Sequence, residues 1–218
     1  MTQEELFQTL SKYGVVPVIA IESVEAALPL ADALAEGGLP VAEITFRTVE
    51  AAAVIARLAK ERPKVILGAG TVLSVENLRA AKASGARFGV APGTNPEILA
   101  EANRLGLPFI PGVVTPSEVE KALALGAKIQ KFFPSEASGG LSMIKALAAP
   151  YGHTGVKFMP TGGVNLANLE QYLASDAVLC IGGTWIATKE LIAAKRWAEI
   201  RDNCQKAMEV VRRVRGSR

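Results

Sequence analysis

The stretch VVPVIAIESVEAALPLADALAEGGLPVAEITF, residues 15–46, decides the fold because it contains a strand, a helix and a second strand in that order. The runs at 15–21 and 41–46 are short, apolar and rich in β-branched residues. The segment between them opens near Ser23 and closes on a pair of glycines, which is typical of a capped helix. Nearly continuous apolar strands that alternate with helices indicate a parallel sheet covered on both faces.

The same alternation continues along the rest of the chain. Further β-rich runs lie at 65–70, 87–92, 108–113, 128–134, 157–163 and 177–183, with helical patterns at 49–63, 74–85, 95–106 and 115–126 among those between them. Eight strands in 218 residues predict an α/β protein, a single (β/α)8 TIM barrel. An open doubly wound sheet is the alternative, because sequence reveals the number of strands but not the closure of the sheet.

One domain is expected over residues 1–218. The first 14 residues, MTQEELFQTLSKYG, are amphipathic with acids in the first turn, which predicts an N-terminal helix that caps the barrel rather than a signal peptide. Residues 215–218 follow a basic helix end and are predicted to form a flexible tail.

Composition narrows the classes of function. A net charge of +3 with no dense basic block before the tail RRVRGSR disfavours nucleic-acid binding, and no apolar run approaches the ~20 residues of a membrane span. Cys180 and Cys204 lack any motif spacing, which indicates a reducing, cytoplasmic compartment. With His153 as the only histidine, a histidine-based metal site or catalytic triad is disfavoured.

Polar residues, glycines and prolines gather where the predicted strands end. The carboxyl ends of barrel strands carry the catalytic groups in this architecture, so these positions are the candidate site. They read Phe46-Arg47, Gly70-Thr71, Pro92-Gly93, Phe133-Pro134, Thr161-Gly162-Gly163 and Gly182-Gly183-Thr184.

The second strand carries Glu43, Thr45 and Arg47 in alternation with three apolar residues. Because side chains alternate between the faces of a strand, Glu43 and Arg47 are predicted to point into the barrel. A Glu–Arg pair that only satisfies itself is the structural alternative.

The sixth strand places Lys131 on the same face as Ile129 and Phe133. Desolvation disfavours an ammonium ion, and a neutral lysine attacks carbonyl carbon to form a Schiff base. A structural salt bridge to Glu43 is the alternative. An inward lysine, glutamate and arginine beside glycine-rich strand ends favour catalysis.

Two glycine turns, PTGG (160–163) and IGGT (181–184), follow the seventh and eighth strands. Backbone N–H groups at the starts of the following helices are predicted to form an anion nest, since these two loops of a barrel frequently bind phosphate. Ordinary tight turns also use paired glycines, and that reading stays open.

The segments AEITFRT (42–48), GAGTVL (68–73), APGTNPEIL (91–99), KFFPSEASGG (131–140), MPTGGVN (159–165) and IGGTW (181–185) occur in one order along the chain. Together they resemble the 2-keto-3-deoxy-6-phosphogluconate (KDPG) aldolase and 4-hydroxy-2-oxoglutarate (KHG) aldolase family. The resemblance implies a homotrimer of barrels and a class I aldolase of the Entner–Doudoroff pathway that needs no metal and no cofactor. Its substrate is KDPG, cleaved to pyruvate and glyceraldehyde 3-phosphate, with KHG, cleaved to pyruvate and glyoxylate, as a possible second substrate.

The resemblance also implies roles for individual residues. Lys131 matches the Schiff-base lysine and Glu43 the glutamate that shuttles protons. Substrate contacts are implied for Arg47, Thr71, Pro92, Phe133 and Thr161, and phosphate contacts for Gly162, Gly163, Gly183 and Thr184. Thr184 stands where a serine is more usual.

Three questions stay open at the level of sequence. The barrel could be a catalytically incidental scaffold for natural or engineered assembly, or an isomerase or epimerase that uses no imine. The glycine turns favour the phosphorylated substrate without excluding KHG. The helix at 49–63 is apolar nearly all round, which indicates either cover by another subunit or only the high helix propensity of alanine.

Overall fold

The structure is a computed structural model that describes residues 2–216. Strands and helices alternate along it. The strands are β1 Val15–Ile19, β2 Val41–Thr45, β3 Ile66–Gly70, β4 Phe88–Val90, β5 Phe109–Ile110, β6 Gly112–Val113, β7 Ile129–Phe132, β8 Lys157–Pro160 and β9 Ile181–Gly183. The helices are α1 Gln3–Tyr13, α2 Ala27–Glu36, α3 Ala51–Glu61, α4 Val75–Ala83, α5 Pro96–Arg104, α6 Pro116–Ala124, α7 Gly140–Tyr151, α8 Leu169–Leu173, α9 Lys189–Ala193 and α10 Trp197–Arg215.

The strands are parallel and curl into a closed ring. Six strands pair in the order β5-β4-β3-β2-β1-β9 and three in the order β6-β7-β8. Parallel bridges from Phe158 to Val178 and from Thr161 to Gly182 join β8 to the β9 segment. The predicted α/β barrel is therefore confirmed, and the open doubly wound sheet is not formed.

The fifth barrel strand is interrupted, which the sequence did not predict. Pro111 separates β5 from β6, and a proline has no N–H to donate to a strand ladder. The run predicted at 108–113 is thus two short strands. As a result, the sixth, seventh and eighth predicted strands are β7, β8 and β9.

Helix α1 closes the amino-terminal end of the barrel. Thr2 and Glu5 form a capping box at its start, and Gly14 ends it with a φ of 68°. Leu6 and Leu10 pack into the barrel interior against the first inward residues of several strands. This inner cluster also contains Val16, Val41, Ile66, Phe88, Val90, Ile110, Ile129, Met159 and Cys180.

The carboxyl-terminal helix extends further than predicted. Arg215 belongs to α10, and its guanidinium donates hydrogen bonds to the carbonyl oxygens of Val178 at 3.0 Å and Leu179 at 2.7 Å. The predicted tail at 215–218 is therefore wrong for Arg215, because these bonds anchor the helix end. Residues 217 and 218 lie outside the described residues. Within 2–216, every helix is too short or too polar to span a bilayer.

Candidate active site

Lys131 and Glu43 meet inside the carboxyl-terminal end of the barrel. Lys131 on β7 is 5% exposed and Glu43 on β2 is 0% exposed, and the lysine Nζ lies 3.7 Å from Oε1 of Glu43. The two-residue alternation predicted this inward placement of both side chains. The structure confirms that they share one interior space.

The Glu43 carboxylate has no hydrogen-bond partner among residues 2–216. The 3.7 Å separation from Lys131 brings opposite charges together, but it is longer than a hydrogen bond. A structural ion pair at this depth needs close hydrogen bonds to offset its desolvation. The unused acceptor capacity of Glu43 therefore favours proton transfer with a bound molecule over a self-satisfied pair.

Glycine makes room for this carboxylate on the neighbouring strand. A Cβ built at Gly70, the last residue of β3, would lie 2.2 Å from Oε1 of Glu43. No side chain could occupy that position without moving the carboxylate. The glycine at this strand end is therefore required by packing, and it directly precedes Thr71, for which the resemblance implies a substrate contact.

Lys131 has an aromatic neighbour just past the end of its own strand. Its Nζ lies 5.2 Å from the centre of the Phe133 ring, within the range of a cation–π contact. Met159 of β8 and Gly112 of β6 are its partners across the sheet. Apolar groups thus surround much of the amine, which leaves Glu43 as its acidic neighbour.

Arg47 lies at the rim of the barrel and not inside it, which corrects the prediction. Strand β2 ends at Thr45, so the alternation that placed Arg47 inward does not extend to it, and its side chain is exposed. Its Nε donates a 3.1 Å hydrogen bond to Oγ1 of Thr45, whose hydroxyl in turn donates to the carbonyl of Ile19 at 3.0 Å.

This buried threonine is a functional candidate that sequence reasoning missed. Thr45 is 1% exposed and joins the strand β1 backbone to the Arg47 guanidinium. The signal was present in the sequence, because Thr45 shares the inward face with Glu43 and lies at the end of the strand. Its hydroxyl keeps the Arg47 side chain over the mouth of the barrel.

Thr71 adopts an unusual backbone conformation directly after β3. Its φ of 54° lies in the left-handed region, which is strained for a β-branched residue. The next residue is held by a 3.1 Å hydrogen bond from the Val72 N–H to the Val90 carbonyl. Such strain is concentrated at binding sites, and here it fixes a threonine next to the strand that carries Glu43.

The other predicted substrate residues also line the mouth. Pro92 follows β4 and is half-buried, as is Phe133 directly after β7. Thr161 directly follows β8 and is 2% exposed, and a Cβ at Gly182 would lie 2.0 Å from its Oγ1. The structure therefore brings these residues to the same end of the barrel as Lys131.

The two glycine turns lie side by side, but not at helix starts. The bridge between Thr161 and Gly182 places Gly162 and Gly163 next to Gly183 and Thr184. Gly162 and Gly163 have φ values of 95° and 84°, a backbone conformation that favours glycine.

The predicted contribution of helix starts at these turns is wrong. Helices α8 and α9 begin only at Leu169 and Lys189, so residues 164–168 and 185–188 separate each turn from its helix. An anion at these turns would therefore meet the N–H groups of the turns and not those of a helix start.

The two cysteines are poor candidates for a nucleophile. Cys180 and Cys204 are free and buried. Burial raises the pKa of each thiol to about 12, so both are protonated and unreactive at neutral pH.

Comparison with known sequences agrees with this geometry. Residues 6–203 match the family model described as KDPG and KHG aldolase. The 2-dehydro-3-deoxy-phosphogluconate aldolase of Treponema pallidum is 45% identical over 206 residues, which cover 94% of this chain and 97% of that protein. The KHG/KDPG aldolase of Escherichia coli K12 is 42% identical over 195 residues, 89% of this chain and 91% of that protein.

Solved structures resemble the whole barrel. A KDPG aldolase from Legionella pneumophila, with pyruvate captured as a covalent carbinolamine, has a TM-score of 0.89 and 39% identity and covers 95% of this chain and 98% of its own. The Zymomonas mobilis ZM4 enzyme, solved with 3-phosphoglycerate, has a TM-score of 0.83 and 35% identity over 92% of this chain and 94% of its own.

Proposed function

The chain belongs to the KDPG and KHG aldolase family, and we propose that it cleaves KDPG to pyruvate and glyceraldehyde 3-phosphate through an imine on Lys131. It is a class I aldolase, a carbon–carbon lyase. One observation carries the assignment of its residues. The amine of a buried lysine lies 3.7 Å from a buried carboxylate that makes no hydrogen bond within residues 2–216.

The chemistry follows from these two groups. The Lys131 amine attacks the C2 carbonyl, and the carbinolamine loses water to give an iminium ion. The C3–C4 bond then breaks and its electron pair moves toward the iminium nitrogen, while Glu43, directly or through water, accepts the C4 hydroxyl proton and the aldehyde leaves. Protonation of the enamine at C3 and hydrolysis release pyruvate and restore the amine. Because the iminium is the electron sink, the steps balance without a cofactor.

The remaining residues bind the substrate around this centre. Arg47 and Thr71 would hold the carboxylate, since one is a cation at the rim and the other is fixed in a strained conformation beside β2. Pro92 and Phe133 would line the pocket. Thr161 would influence the stereochemistry at C4. The phosphate would bind at the two adjacent turns, which contain Gly162, Gly163, Gly183 and Thr184.

KHG is proposed as a second, poorer substrate. KHG and KDPG have the same keto-acid end, to which Lys131, Arg47 and Thr71 would bind. KHG has no phosphate for the glycine turns. The family name and the Escherichia coli relative, whose name includes both compounds, support this dual activity.

An assay coupled to lactate dehydrogenase tests the function. Wild-type protein is expected to produce pyruvate from both compounds, with a larger kcat/KM for KDPG. Failure to form pyruvate from either compound would favour the catalytically incidental scaffold. An isomerase or epimerase would likewise form no pyruvate.

The physiological form proposed is a cytoplasmic homotrimer of one domain spanning residues 1–218. Helix α3 supports a further subunit contact, because Ala53 and Ala56 face away from the barrel and are exposed, and Val49 just before the helix is 94% exposed. Light scattering of the purified protein is expected to give three times the chain mass, and a monomeric mass would contradict the trimer.

A further inference from the structure

The loop after β7 is fastened along the first glycine turn. The N–H of Ser135 donates to the Thr161 carbonyl at 2.8 Å, and the N–H of Glu136 donates to the Gly162 carbonyl at 3.0 Å. The Glu136 side chain lies flat on the turn, since a Cβ at Gly163 would be 2.5 Å from its Cγ. Two backbone hydrogen bonds and this side-chain contact therefore join the loop to the turn.

A buried tyrosine fixes the Glu136 carboxylate in this position. The Tyr172 hydroxyl, on helix α8, donates a short hydrogen bond to Oε1 of Glu136 and lies 3.1 Å from the buried Ser135 hydroxyl. Tyr172 is 2% exposed. Burial and the bond to Glu136 raise its pKa to about 12, so the hydroxyl remains a proton donor at neutral pH. A Cβ at Gly140 would lie 2.9 Å from the same carboxylate oxygen, which shows how closely the cluster is packed.

The last two carbonyl groups of the turn are directed into this scaffold. The Gly162 carbonyl accepts from the Glu136 N–H, and the Gly163 carbonyl accepts from the side-chain amides of Asn165 at 3.2 Å and Asn168 at 3.3 Å. In a trans peptide the N–H points opposite to the carbonyl. The N–H groups of these two peptide units therefore point away from Glu136 and the asparagines, to the side where an anion can be bound.

We propose that Ser135, Glu136 and Tyr172 are positioning residues for the phosphate end of the substrate. The Tyr172 hydroxyl holds Glu136 against Gly163, which orients the N–H groups of the turn and keeps the negative carboxylate directed away from the phosphate. None of the three contacts the reacting atoms. The inference rests on the proposed function, since it assumes that the turn binds a phosphate.

The variant Tyr172→Phe removes only the hydroxyl. Because a hydrogen bond to a charged group is lost, kcat/KM for KDPG is expected to fall about tenfold. For KHG, which has no phosphate, the loss is expected to stay below about twofold. An equal loss for both substrates would indicate a merely structural role and would overturn the proposal, as would no loss for either.

Matched variants distinguish the effect of losing the Tyr172–Glu136 hydrogen bond from a nonspecific effect of substitution. Tyr151→Phe removes a hydroxyl that donates to Glu120 at 2.7 Å, at the end of α7 remote from the turn, and should leave both kcat/KM values unchanged. Glu136→Gln retains an oxygen acceptor for Tyr172 and should preserve the preference for KDPG. Glu136→Ala should lower kcat/KM for KDPG and so reduce this preference. Adding Tyr172→Phe to Glu136→Ala should cause no further decrease in kcat/KM for KDPG. If the two substitutions lowered kcat/KM for KDPG additively, the proposal would be overturned.

Direct binding of inorganic phosphate distinguishes failure of this inference from failure of the aldolase assignment. The amide resonance of Gly163 is followed by NMR during titration of the wild type and of Tyr172→Phe. The variant is expected to bind phosphate about tenfold more weakly, the same loss of a charged hydrogen bond. Equal affinities, or no response of Gly163 in the wild type, would overturn the positioning role whether or not pyruvate is formed.

Discussion

The two ends of the barrel interior differ sharply although the same strands build both. On β2, Val41 faces inward at the amino-terminal end, and Glu43 faces inward two residues later. On β7, Ile129 is followed in the same way by Lys131. Leu10 of α1 closes the apolar end, while the polar end opens to the solvent side. Inward-facing residues only two positions apart on one strand thus differ in role: the first stabilises the fold and the second takes part in catalysis.

The two ends also contribute to stability with opposite sign. Apolar side chains under α1 are removed from water, which stabilises the barrel by roughly 1.5–3 kcal/mol for each fully buried large residue. The Glu43 carboxylate at the other end is buried without a hydrogen bond within residues 2–216, which is destabilising. A sequence selected only for folding would not retain that arrangement, so the comparison favours catalysis at the polar end.

The largest expected effect follows from removing the amine at the polar end of the barrel. Lys131→Met should abolish pyruvate formation, because no imine can form. Lys128→Met is the matched control, since Lys128 is exposed at the apolar end of the same strand and should tolerate the change with turnover intact. Circular dichroism verifies that both variants fold. A turnover within tenfold of the wild type in Lys131→Met would show that Lys131 does not form the imine.

The next largest effect concerns the acid at the polar end. Glu43→Gln preserves shape but cannot exchange the proton, so kcat for KDPG should fall by about 10²–10⁴-fold. Steady-state kinetics by the coupled assay measure it. Unchanged kcat would show that Glu43 is only a structural partner of Lys131.

A substitution at the apolar end should lower the stability of the protein and leave its catalytic activity unchanged. Leu10→Ala leaves a cavity under α1 and should lower the free energy of unfolding by about 2–5 kcal/mol. Denaturant unfolding gives this value, and kcat/KM per folded molecule should match the wild type. A loss of activity as large as that of Glu43→Gln would erase the proposed distinction between the ends.

The smallest effect is expected at a surface carboxylate outside the barrel. Glu101 accepts hydrogen bonds from Arg104 at 2.6 Å and Arg79 at 2.7 Å, and these bonds lower its pKa from 4.5 to about 2. A carboxyl whose folded pKa is depressed adds stability above its unfolded pKa and loses it as the pH falls through the folded value.

The stability difference between wild type and Glu101→Gln should therefore be small at pH 7 and shrink as the pH falls from about 4 toward about 2. Unfolding curves recorded across this range measure it, and turnover should be unaffected. A difference that grows as the pH falls would contradict the assignment.

Local pattern was enough to predict the barrel and the central pair of the site. The two-residue alternation of strands placed Glu43 and Lys131 on the inner face, and side-chain caps located the starts of α4, α5 and α6 at Ser74, Asn95 and Thr115. These features depend on neighbouring residues in the chain, so a single sequence reveals them.

Features that depend on distant residues could not be predicted in this way. Arg47 follows the strand end, where alternation no longer applies, and only the bond to Thr45 locates it. Arg215 is held by carbonyls some 36 residues earlier in the chain. The contact of Tyr172 with Glu136 likewise joins a loop to a helix 36 residues away, and neither segment indicates the other.

The most direct test of the central claim is to trap the imine. Wild-type protein is incubated with pyruvate and reduced with borohydride, and the peptides are then mapped by mass spectrometry. One stable adduct per chain is expected, a reduced pyruvyl group on Nζ of Lys131, with none in Lys131→Met. No adduct on the wild type, or an adduct on a different lysine, would contradict imine formation on Lys131.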